Sequence, residues 1–213
     1  MTSHLSLPAF QLEEDLAALV DAMRADTAAG PIELARRGVD VVLRFTDKSH
    51  YERPLHIWIE VNGLANALFE ARRDCMPLAN LASAIVEPLP SLYGRGKDEG
   101  ARMRADLRSR TLEWLDGLSA RSARIDVQRS AYQTATARAI DGHFVYLSDD
   151  PAPYVIGGVE KFVPPNYEFP SGDLRRVPLE SFDGILTGDS QGPVSVDVVR
   201  SVIASLRFAT TLL

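Results

Sequence analysis

The chain has 213 residues, a mass of 23.4 kDa, 46% hydrophobic and 24% charged residues, and a formal net charge of −6. This is an ordinary globular composition, long enough to bury a core without staples, which excludes disordered and low-complexity classes. The acidic balance argues against a general binder of nucleic acid or anionic membranes, and the lone cysteine excludes an internal disulfide framework.

The first apolar stripe is Leu12, Leu16, Leu19, Val20 and Met23, the spacing of an amphipathic helix. Leu34, Gly38, Val41, Val42 and Phe45 repeat it, with Pro31 in the first turn, where a helix tolerates proline. Ile57, Val61, Leu64, Ala65 and Leu68 predict a third helix from Pro54. Leu78, Leu81, Ala82 and Ile85 predict a short fourth, closed by Pro88 and Pro90. A glycine-containing loop runs to Lys97. A proline-free stretch follows from Asp98 to Ile140, with Met103, Leu107, Trp114 and Leu118 as its stripe. A break is expected near Ser119 to Ser122, with the helix continuing through Ile125, Tyr132 and Ala139.

After Gly142 the pattern changes. His143 to Leu147 reads as a strand ending in a Ser-Asp-Asp-Pro turn. Tyr154 to Val159 is ambiguous between strand and helix. Phe162 to Asp173 reads as an extended loop, because proline cannot sit in a central strand. Arg175 to Leu179 and Gly184 to Gly188 are short strand candidates, and Val194 to Phe208 a final helix. Glycine and proline are about twice as dense after residue 141 as before it. The organisation is therefore α/β: a helical domain over residues 1–141 and a small α/β domain over residues 142–213.

Several residues could carry chemistry. Cys75 follows Arg72 and Arg73, whose guanidinium groups would favour a thiolate; the plainer reading is a buried cysteine at a helix start. His4, His50, His56 and His143 have no metal-helix spacing, so no metal site is expected. Asp149 and Asp150 could act as paired carboxylates or form an Asx turn before Pro151. Gly188 to Pro193 joins a strand to a helix, as phosphate-binding turns do, but lacks G-x-G-x-x-G and a Walker lysine. A ligand-facing Asp189 competes there with a plain capped turn. The arginines from Arg102 to Arg129 alternate with acids, the pattern of a solvated helix face.

Ala29 to Phe45, followed by a helix and then Leu68 to Leu81, resembles the superfamily of the alpha, beta and delta subunits of translation initiation factor 2B, ribose-1,5-bisphosphate isomerase and methylthioribose-1-phosphate isomerase. Gly30, Glu33, Leu34 and Ala35 stand where that family has a glycine and an "E-I-A" helix. Arg72, Pro77, Leu78 and Asn80 resemble its Arg-Pro-x-x-x-P-L-x-N element, with Arg73 in place of the proline. Phe182 to Pro193 is similar to the strand leading into Gly-Ala-Asp, with Gly188 and Asp189 present. Alternatively, Val163 to Pro170 resembles the family's C-terminal proline-rich turn. The family's catalytic Cys, Asn-Lys and Gly-Thr elements are absent; Ser148-Asp149-Asp150-Pro151 stands where the Cys is expected.

The resemblance implies a sugar-phosphate-binding protein of the aldose–ketose isomerase type, with Asp189 as the catalytic carboxylate. Gly30, Arg72, Arg73 and Gly188 would bind a small phosphorylated ligand, with no cofactor. It equally implies a non-catalytic oligomeric or regulatory protein, for which the apolar end Phe208 to Leu213 would suit an interface. No stretch reads as a membrane span or a signal peptide, so a cytoplasmic protein is expected; the resemblance further implies a homo-oligomer whose second domain is a small, truncated Rossmann-like α/β unit.

Overall fold

The computed structural model describes residues 12–87, 90–96, 98–140, 142–157 and 174–205. Its first part is helical: α1 (Glu14–Ala25), α2 (Pro31–Lys48), α3 (Pro54–Ala71), α4 (Met76–Val86) and α5 (Asp98–Ala131). Pro31, Pro54 and Pro77 all sit in first turns, where a missing N–H costs no helical bond. The stripes read from the sequence face inward. Leu34, Val41, Val42 and Phe45 of α2 share a buried core with Ile57, Leu64 and Leu68 of α3 and with Leu78, Leu81 and Ile85 of α4. Met103 and Leu107 bring the N-terminal half of α5 into the same core.

Two expectations for α5 are corrected. The helix runs unbroken through residues 119–122, because nothing between Leu118 and Ile125 removes a backbone donor. It then stops at Ala131. Thr134–Ile140 is not helix but strand β1. That strand precedes the compositional change at 141 and is the centre of the sheet.

The sheet is completed by β2 (Phe144–Leu147), β3 (Tyr154–Ile156), β4 (Arg175–Pro178) and β5 (Gly184–Leu186), in the order β4-β2-β1-β3-β5. β1, β3 and β5 are parallel, with Thr134, Tyr154 and Gly184 in register. β2 is antiparallel to both β1 and β4. The sheet's core is Ala135, Ile140, Val145, Leu147, Val155, Val177 and Ile185, covered by Val199 of α6 (Val196–Ser205). One edge is closed by the chain itself, since Ile185 and Val194 exchange two backbone hydrogen bonds of 2.9 Å. The other edge, β4, ends in Pro178 opposite Phe144. The ambiguous segment from Tyr154 is thus strand as far as Ile156. The loop read at 162–173 and the apolar end 208–213 lie outside the described residues. The whole is an N-terminal helical region followed by a small α/β unit.

Candidate functional site

Gly30, Arg72 and Cys75 meet at one corner of the helical region. The Asp26 carboxylate accepts the Ala28 and Ala29 N–H groups at 2.8 and 2.9 Å, closing the α1–α2 turn. These bonds, with Arg37 at 2.8 Å, hold Asp26 below the usual carboxylate range. Arg72 reaches across from the end of α3 to the Asp26 carbonyl. The rest of its guanidinium forms a fork with Asp74, at 2.8 and 2.9 Å, which raises its pKa further. Cys75 is 2% exposed at the head of α4, and its thiol donates to the Pro31 carbonyl at 3.6 Å. It is a packed cysteine, as the plainer sequence reading has it.

Gly30 precedes α2 in extended backbone, with φ −70° and ψ 163°, and an added Cβ would meet nothing within 4 Å. Neither conformation nor space requires glycine there. Arg73 turns back along α3 and forks onto Glu70 at 2.8 and 2.6 Å. Both arginines assigned to phosphate therefore have carboxylates in the positions a phosphate would take.

Gly188 and Asp189 lie elsewhere, at the carboxyl end of β5. Gly188 has φ +76°, the left-handed region that glycine enters without strain. The turn is stapled internally. The Asp189 N–H donates to Thr187 Oγ1 at 3.2 Å, and the Ser190 hydroxyl donates to the Gly192 carbonyl. Thr187 is 2% exposed, whereas Asp189 faces solvent. Two side chains of α5 grip this turn. Arg124 donates from Nε to the Gly188 carbonyl, and Gln128 from Nε2 to the Ser190 carbonyl at 2.7 Å. Arg124 is exposed, as its place on a solvated helix face predicts, whereas the buried Gln128 was not singled out by the sequence.

The five expected site residues thus form two groups, one on the 26–75 corner and one on the 187–190 turn. A cavity of about 20 Å³, the size of a single water, lies among Leu16, Phe45, Lys48, Ser49 and Glu60. An open depression is lined by Ser148, Asp149, Asp150 and Arg175. Neither is lined by any of the five residues. Among the described residues, no group of three or more His, Cys, Asp or Glu side chains is placed to hold a metal, and no helix is long and apolar enough to cross a membrane.

No protein-family model matches the chain, and no curated protein matches it. Its fold is similar to that in the crystal structure of eIF2B beta from Chaetomium thermophilum, with a TM-score of 0.65 and 15% identity. The likeness spans 95% of this chain and 93% of that one. The chain has an eIF2B-like fold. In this eIF2B-like arrangement, the corner at Arg72 belongs to the helical region and the turn at Asp189 to the α/β unit. A long α5 joins the two.

Proposed function

We propose that the protein acts by binding rather than by turning over a sugar phosphate: a non-catalytic, oligomeric interaction or regulatory protein of the cytoplasm, built on an eIF2B-like fold. The observation that carries this reading is the closure of Arg72 on Asp74 and of Arg73 on Glu70. A phosphate would have to displace two carboxylates already held by forked hydrogen bonds. Asp189 adds to the argument. Aldose–ketose isomerisation needs a base and an acid held in a water-poor site, and this carboxylate faces solvent.

One observation favours the second reading, a phosphosugar-binding protein of the isomerase type. The Gly188 turn stands at the carboxyl end of a parallel strand with a guanidinium beside it, a place where open α/β sheets take anionic ligands. A thermal-shift panel with ribose-1,5-bisphosphate and methylthioribose-1-phosphate, run with an isomerase assay and sedimentation, separates the two. A ligand at 100 times its dissociation constant stabilises by about 2.7 kcal/mol, or about 5–10 °C at this size. The interaction reading expects a flat panel, no turnover and a mass above the 23.4 kDa monomer. A shift of that size, abolished in Asp189→Asn, would overturn it in favour of the phosphosugar reading. A 23.4 kDa species at every concentration would remove the oligomer.

A further inference from the structure

The turn after β5 is built as a unit. The Ile185–Val194 backbone pair closes its base, at 2.9 Å in both directions. Inside it, Thr187 Oγ1 holds the Asp189 N–H and the Ser190 hydroxyl holds the Gly192 carbonyl. A loop with a paired base and two internal staples keeps its shape when it moves. Its grip on the helical region is of a different kind: Arg124 bonds the Gly188 carbonyl, Gln128 bonds the Ser190 carbonyl, and Gly188 packs closely on the Arg121 backbone, all on α5. Gln128 is also incompletely satisfied. It is 4% exposed, its amide donor is bonded, and its Oε1 is buried without a hydrogen-bond partner. A bare buried acceptor disfavours the state that leaves it bare. The docked position is therefore held less tightly than a fully paired contact would hold it.

We infer that the 187–193 turn is a latch: Arg124 and Gln128 of α5 position it, and releasing them frees the turn, with Asp189 on it, while the sheet stays folded. The helical region thereby sets where the Asp189 carboxylate stands. Arg124 and Gln128 are positioning residues, whatever the turn finally contacts.

Spin-label mobility on the full chain tests this, with the label carried by Asp189→Cys, since the native Cys75 is buried. The variants are Gln128→Leu and Arg124→Met, each keeping an apolar stem of similar length, with Ser130→Ala on the same helix as control. In both test variants a mobile spectral component is expected at residue 189, with the released population raised about tenfold, since one net hydrogen bond to the turn is gone. Amide exchange of the strands at 134–140 and 154–156 should keep its wild-type rates, and Ser130→Ala should change neither readout. An unchanged spectrum in both variants overturns the latch. So does faster exchange in the strands alongside the mobile component, which would make the turn part of the sheet's own cooperative unit. If Gln128→Leu does not fold, Arg124→Met decides alone by the same criterion.

Discussion

Replacing Gly188 with alanine tests how closely α5 and the turn fit. An alanine at φ +76° pays roughly 1–2 kcal/mol for left-handed backbone. Its Cβ would also lie 2.6 Å from the Arg121 carbonyl oxygen and 3.1 Å from the carbonyl carbon. Those atoms are helix backbone and cannot rotate aside, so turn and helix must part by about an ångström to restore normal contact. That movement stretches the Arg124 and Gln128 bonds, each worth about 1 kcal/mol. The expected loss is about 3 kcal/mol, which at this size is about 6–12 °C in melting temperature. Urea unfolding followed by circular dichroism measures it. Gly30→Ala is the matched comparison, because its backbone is extended and nothing lies within 4 Å; it should cost less than about 1 kcal/mol. A Gly188→Ala protein within about 0.5 kcal/mol of wild type, the range of an inert surface change, would refute the argument. So would a Gly30→Ala loss of equal size.

Other outcomes follow from the same contacts. Burial raises the Glu60 carboxyl and Glu13 adds to the rise, while the Ser49 hydrogen bond and His50 oppose it. A raised carboxyl contributes its full stability below its unfolded pKa and loses it as pH climbs through the folded one. Glu60→Gln should therefore melt higher than wild type at pH 7 and equal to it below about pH 4; a gain present at both would exclude titration as the cause. Arg72→Ala, losing the tie from α3 to the α1–α2 turn, should cost about 1–3 kcal/mol in urea unfolding. Arg73→Ala, losing the exposed fork onto Glu70 and the contact over the Phe69 ring, should cost less than about 1 kcal/mol. Equal losses would show that the cross-element bond adds nothing. Cys75, 2% exposed, should react with a thiol reagent only at the rate of unfolding; fast labelling of the native protein would place it at the surface.

The helical half was legible because its residues repeat at helical spacing beside prolines in first turns. Leu34, Val41, Val42 and Phe45 could face only one way. β1 was not legible. Thr134 to Ile140 is rich in alanine, a good helix former, and continues a proline-free run. Pairing with β2 on one side and β3 on the other overrides that preference. The candidate site divides along similar lines. Glycine flanking an acid after a short strand marked Gly188 and Asp189 locally. The grip of Arg124 and Gln128 on that turn spans 64 and 62 residues, and no local pattern encodes it. The arginines at 72 and 73 were legible as cations, but not as cations already engaged.

The two margins of the sheet have a consequence for how copies of this chain can meet. On one side Ile185 spends its N–H and C=O on Val194. On the other, Leu179 gives its N–H to the His143 carbonyl, so by the alternation of antiparallel pairs the neighbouring Pro178 nitrogen points outward, where it has no proton to offer. Among the described residues, neither margin presents an unbroken row of donors and acceptors for a foreign strand. The protein is thus guarded against growing ribbon-like from chain to chain. A partner meeting either described margin would be fastened by side chains rather than by continuing the sheet.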